Sequence, residues 1–128
     1  LTNRNIAANI DSAMQVFPHR NDDCVMGMLP FFHSFGFTGT LWLPLSLGFS
    51  VVYHPNPLEA KNIGELVHKY KARFLFATPT FLLGYIRRVL PEQFESLVYV
   101  ITGAEKLPER VRHAFKSKFG VEPLEGYG

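Results

Sequence analysis

Four short, largely apolar runs set the frame for this chain: Cys24–Leu29, Phe49–Tyr53, Arg73–Ala77 and Leu97–Thr102. Each is strand-length: the first runs into Pro30, the second into His54-Pro55, the third into Thr78 and the fourth into Gly103. The segments between them carry apolar residues at helical spacing. Residues 3–17 align Ile6, Ile10, Ala13, Met14 and Phe17 on one face and stop at Pro18. Residues 58–70 turn Ile63, Leu66, Val67 and Tyr70 inward. Thr78-Pro79 reads as a helix start, a capping hydroxyl followed by proline at the first helical position, and that helix presents Phe81, Leu82, Tyr85, Ile86 and Val89 as far as Leu90. A last helix from Pro108 to Phe119 turns Val111, Ala114, Phe115 and Phe119 inward and ends at a C-capping Gly120. Residues 122–125 read as a fifth short strand. Residues 36–47 keep a helical rhythm despite Gly36, Gly39 and Pro44, which predicts a buried helix, covered on most sides and kinked at Pro44.

Apolar strands alternating with helices predict an α/β fold: a mostly parallel five-stranded sheet with helices on both faces. The 128 residues suit a single domain spanning 1–128. With 47% hydrophobic and 19% charged residues the chain favours a packed core over disorder. A net charge of +2 without a clustered basic face argues against a nucleic-acid partner. Lys106, Arg110, Arg112, Lys116 and Lys118 read as a solvated helix face. Cys24, the only cysteine, reads as a small core residue. The longest apolar stretch, residues 41–53, is too short for a bilayer and is broken by Pro44, Ser46 and Gly48. The expected location is the cytoplasm, with any membrane association left to segments outside this stretch. The polar start shows no secretory signal, and both ends read as cuts rather than natural termini.

Ligands of such sheets bind beyond the carboxyl ends of the strands. That rule selects five loops: 30–36, 54–57, 78–80, 102–106 and 126–128. The first sets His33 among Phe31, Phe32 and Phe35; an imidazole there can orient a carboxylate, or it can be a hydrogen-bonded core group with the phenylalanines as core. Gly103-Ala104-Glu105 brings small residues to a strand end, where a flat ligand can approach the backbone, as an ordinary turn also can. Gly126-Tyr127-Gly128 offers a ring for stacking, or a turn. The five histidines are scattered, so no metal site is expected. Ser34 lacks a nucleophile elbow, and no phosphate-binding glycine loop with a lysine is present.

Five motifs in order carry a resemblance: Leu1-Thr2-Asn3-Arg4-Asn5, Leu29-Pro30-Phe31-Phe32-His33-Ser34-Phe35-Gly36, Thr78-Pro79-Thr80, Gly103-Ala104-Glu105-Lys106-Leu107-Pro108 and Glu125-Gly126-Tyr127-Gly128. Together they resemble the adenylate-forming acyl-activating (AMP-binding) enzymes over the whole chain. Gly-Ala-Glu-Lys-Leu and Leu-Glu-Gly-Tyr-Gly are most similar to the acyl-[acyl-carrier-protein] synthetase part of bacterial 2-acylglycerophosphoethanolamine acyltransferases. The resemblance implies a subdomain of a large N-terminal domain, and a parent enzyme that uses ATP and Mg2+ to adenylate a fatty acid and passes the acyl group to coenzyme A or an acyl-carrier protein. It implies His33, Phe35, Gly36 and Thr78 at the acid, and Gly103, Ala104, Glu105, Glu125, Gly126, Tyr127 and Gly128 around the adenine, with Tyr127 stacked on the base.

The family's phosphate loop would precede Leu1. Its magnesium-holding Thr-Glu pair, ribose-binding aspartate, hinge and catalytic lysine would follow Gly128. The stretch is therefore expected to be an internal fragment, catalytically incomplete, a weak nucleotide binder at most, and prone to self-association through exposed apolar surface. The rivals are a non-catalytic α/β binding module and an adenylation domain for amino or aryl acids.

Overall fold

The computed structural model describes residues 1–126. Its elements are α1 (Asn3–Val16), β1 (Cys24–Gly27), α2 (Ser34–Gly36), a π-helical stretch (Phe37–Trp42), α3 (Leu43–Leu47), β2 (Ser50–Tyr53), α4 (Ala60–Tyr70), β3 (Phe74–Ala77), α5 (Pro79–Arg88), a 3-10 turn (Pro91–Phe94), β4 (Tyr99–Thr102), α6 (Glu109–Phe119) and β5 (Leu124–Glu125). The strands form one all-parallel sheet in the order β2-β1-β3-β4-β5. The predicted fold class holds.

Successive strand residues feed opposite faces, as the pleat requires. Met26, Leu75 and Val100 join one core with Ile63, Val67, Leu82, Tyr85, Val111 and Phe115 of α4, α5 and α6. Val25, Phe74, Phe76 and Ile101 join a second with Leu43 and with Ala13, Met14 and Phe17 from α1 and its C-cap. The buried strands therefore read as unbroken apolar runs because both faces are covered. All carboxyl ends, and the loops that leave them, lie along one edge of the sheet.

The opposite edge is clamped by a pair that the sequence presents only as part of a polar turn. Asp23 is fully buried, accepts the Arg20 N–H at 2.7 Å and pairs with the Arg73 guanidinium. The Arg73 backbone in turn bonds to the Cys24 carbonyl and receives the Val98 and Tyr99 N–H groups. One ion pair thus ties together the starts of β1, β3 and β4.

Several expectations are corrected. The segment from Ser34 to Leu47 is not one regular helix: it passes through the π-helical stretch ahead of Pro44, which stands in the first turn of α3. Pro44 has no N–H for the Thr40 carbonyl, and the Tyr53 hydroxyl donates to it instead at 2.7 Å. The segment is covered at most positions, as expected, with Trp42, Leu45 and Ser46 left exposed. Tyr70, in the last turn of α4, and Ala114 also face solvent. The basic group of α6 is not simply solvated. Lys118 caps the Ile86 carbonyl at the end of α5 at 2.7 Å, Lys116 pairs with Glu122, and Arg112 lies among Glu109, Glu122 and Glu125 at 3.4–3.9 Å. Cys24 is buried as expected, and burial pushes its thiol above the ordinary range. Among the described residues no helix is long and apolar enough to cross a membrane.

Candidate functional site

The strand order reverses between β1 and β3, which makes that carboxyl edge the switch point of the sheet. The loop after β1 turns there into α2. His33 caps this helix: its Nδ1 accepts the Phe35 N–H at 3.1 Å. An accepting Nδ1 places the neutral ring's proton on Nε2, so Nε2–H is the donor the imidazole has left to offer. His33 is exposed, which excludes the buried-imidazole reading. The neighbouring phenylalanines are not all core either, with Phe32 94% and Phe31 46% exposed. Gly36 is needed because a Cβ there would lie 2.3 Å from the Pro30 carbonyl oxygen. This close approach presses α2 onto the β1 loop and fixes where His33 and Phe35 stand.

A cleft of about 580 Å³ opens at this edge. His33, Phe35 and Thr38 line one side, Thr102, Gly103, Ala104 and Gly126 the other, and Asn9 reaches in from α1. Behind Phe35 lies an apolar slot of about 120 Å³ between α1, the π-helical stretch and the sheet. Met14, Phe17, Leu43, Phe49, Phe74 and Phe76 wall it, and Phe35 and Thr38 line both spaces. Phe35 packs edge-on to Phe76, with ring centroids 5.8 Å apart, and its ring lies 3.2 Å from where a Gly103 Cβ would stand. A side chain at position 103 would therefore push on Phe35.

The structure brings together His33, Phe35, Gly103, Ala104 and Gly126 of the sequence-selected residues. Thr78 lines neither space; its hydroxyl caps α5 by accepting the Phe81 N–H at 3.3 Å. The Glu105 carboxylate accepts the Thr80 hydroxyl at 2.7 Å, and Glu125 accepts the Leu107 N–H at 3.0 Å. Tyr127 and Gly128 lie outside the described residues. The sequence reading missed Asn9 and Thr38, and held Thr102 only as the first residue of the selected 102–106 loop. Thr38 could have been found as a polar residue three positions past Phe35 in a mostly apolar segment. Asn9 reaches the cleft only through the topology. Among the described residues no three His, Cys, Asp or Glu side chains converge on a point that could hold a metal ion.

Comparison with known proteins places this geometry. The chain is 29% identical over 134 residues to a long-chain-fatty-acid–CoA ligase of Bacillus subtilis and 30% identical over 134 residues to a probable 4-coumarate–CoA ligase 1 of Dictyostelium discoideum. Each comparison covers the whole of this chain but only 23% and 24% of the relative. Its fold superposes on ATP-bound MatB from Rhodopseudomonas palustris with a TM-score of 0.90 at 24% identity, covering 100% of this chain and 25% of that one. It superposes on MenE from Bacillus subtilis, in complex with ATP and magnesium ion, with a TM-score of 0.88 at 20% identity, covering 99% of this chain and 26% of that one. The chain thus spans about a quarter of the length of the proteins it matches. The AMP-binding enzyme family matches it from residue 1 to residue 128, and the chain belongs to that family.

Proposed function

We propose that residues 1–128 form the central α/β subdomain of an ATP-dependent acid–thiol ligase. The observation that carries this reading is the meeting, at Phe35 and Thr38, of an open cleft with polar and backbone walls and a slot lined by aromatic and aliphatic side chains. A molecule with a nucleotide at one end and an apolar acyl group at the other suits that pair of spaces. In the first step a carboxylate oxygen attacks the α-phosphate of ATP, giving an acyl-adenylate and releasing pyrophosphate. In the second a thiolate attacks the acyl carbon and AMP leaves.

This chain's share of the work is positioning. His33 offers Nε2–H to a carboxylate oxygen at the cleft mouth. Gly103, Ala104 and Gly126 give the base an approach to backbone, with Glu105 and Glu125 bonded behind that wall, and the family resemblance assigns Tyr127 and Gly128 to the adenine. Phe35 stands where the apolar tail leaves the cleft, while Gly36 and Thr78 hold the acid side in shape. The described residues do not by themselves offer a magnesium site.

A fatty acid is the leading substrate, and the named Bacillus relative supports it. An aryl acid is the second reading, favoured by the slot's size. At about 120 Å³ it is close to the roughly 150 Å³ cavity that takes a benzene ring. The names of the relatives favour coenzyme A as acceptor, whereas the Gly-Ala-Glu-Lys-Leu and Leu-Glu-Gly-Tyr-Gly motifs favour an acyl-carrier protein and a 2-acylglycerophosphoethanolamine acyltransferase setting. Acid-dependent ATP–pyrophosphate exchange by the full-length protein tests the reading. Exchange is expected with fatty or aryl acids and not with acetate or amino acids. Folded protein that exchanges with no acid refutes it and points to a non-catalytic module.

A further inference from the structure

The wall of the cleft opposite His33 is held from behind by groups that do not line the cleft themselves. Ala104 lines it with a φ of 67°, the left-handed region that a residue with a Cβ enters at a cost in strain. Such a bend persists only where its surroundings hold it. Here it is braced on its C-terminal side by two contacts. Glu105 is held by the Thr80 hydroxyl of α5 at 2.7 Å. Two residues on, the Leu107 N–H donates to Glu125 of β5 at 3.0 Å. Glu125 is itself steadied: Arg112 of α6 stands 3.9 Å from its second oxygen and donates to the Pro123 carbonyl at 3.3 Å. The Gly126 N–H closes onto the Thr102 carbonyl at 2.7 Å.

We infer that Glu125 and Glu105 are positioning residues for the nucleotide, with Arg112 and Thr80 as their supports. They act by fixing the backbone of residues 103–107 rather than by touching the base. This inference rests on the ligase reading for the identity of the nucleotide. In that account the carboxylate of Glu125 matters as an acceptor for one backbone N–H, not as a charge presented to ligand.

The test is made in the full-length protein with Glu125→Ala and Glu125→Gln, and with Thr80→Val and Thr80→Ser. Glu125→Ala removes the acceptor, and the KM for ATP in the exchange reaction is expected to rise about tenfold, with kcat and the KM for the acid within about twofold of wild type. Glu125→Gln keeps an oxygen for the Leu107 N–H and is expected to recover most of that loss. Thr80→Val and Thr80→Ser should repeat the pattern of loss and recovery, and they carry the test if Glu125→Ala does not fold. An unchanged KM for ATP in the alanine and valine variants overturns the inference. So does a Glu125→Gln variant as impaired as Glu125→Ala, which would mean that the charge itself meets the ligand. If the wild type binds ATP by calorimetry but forms no adenylate, the ligase reading fails alone, and the same pattern is then expected in the Kd for ATP. A wild type that binds no ATP overturns both.

Discussion

Gly36 carries the sharpest conflict between local and tertiary preference. Its backbone is helical, with φ −68° and ψ −44°, so helix propensity alone favours alanine there by up to about 1 kcal/mol. The space does not allow it. A Cβ would meet the Pro30 carbonyl oxygen at 2.3 Å and the Leu29 oxygen at 2.9 Å. Reaching an ordinary carbon–oxygen contact of about 3.3 Å requires a retreat of about 1 Å by backbone, not by a side chain that can turn away. Overpacking of this kind costs roughly 1–3 kcal/mol, and rigid backbone neighbours put it at the upper end. Less the propensity gain, Gly36→Ala should destabilise the protein by about 2 kcal/mol. Gly84, in the middle of α5, is the control, because a Cβ there meets nothing within 4 Å. Gly84→Ala should stabilise by about 0.5–1 kcal/mol. Urea unfolding followed by circular dichroism reads both through the midpoint at constant slope. A Gly36→Ala variant at or above wild-type stability would refute the close approach that sets His33 and Phe35.

Two further substitutions probe contacts away from the cleft. Asp23→Ala should cost roughly 2–3 kcal/mol in urea unfolding, below the roughly 3–5 of a wholly buried pair because the Arg73 side chain keeps 18% exposure; Asp22→Ala, with its carboxylate 77% exposed, should change stability little. Hydrogen bonds from His54, Asn62 and Asn56 hold Glu59 below its ordinary value of 4.5. That carboxylate therefore contributes stability that is complete above 4.5 and lost as pH falls through the lowered value. Glu59→Gln should flatten the acid limb of a stability–pH profile below that point; an unaltered acid limb contradicts the assignment.

The parts of the fold that local chemistry decides were legible in the sequence. Thr78-Pro79 starts a helix because the hydroxyl and the ring suit that end of any helix, and Gly120 closes one with a φ of 76°. The strands showed themselves because burial on both faces removes polar breaks. What was not legible depends on partners distant in sequence. The π-helical stretch owes its satisfied Thr40 carbonyl to Tyr53, 13 residues away. The 3-10 turn that buries Phe94 follows from the Gln93 side chain accepting the Leu90 N–H at 2.9 Å, while Phe94 packs on Phe119 at 4.8 Å. Helix faces were misjudged at Tyr70, where periodicity continues into the last turn of α4, and at Ala114, which is exposed beside the buried Phe115.

The site divides in the same way. His33, Phe35, Gly103, Ala104 and Gly126 stood out because loops at strand ends are unusually aromatic or unusually small there. Asn9 carries no such mark. The roles of Glu105 and Glu125 as backbone braces could be seen only once Thr80 and Leu107 were placed beside them.

The most direct measurement is a crystal structure of the full-length protein with a non-hydrolysable acyl-adenylate analogue. The account predicts the base against Gly103, Ala104 and Gly126, the acyl oxygen within hydrogen-bond reach of His33 Nε2, and the apolar tail passing Phe35 into the slot beneath Phe74 and Phe76. An analogue bound outside this cleft, or one whose tail runs to solvent with the slot left empty, would contradict it.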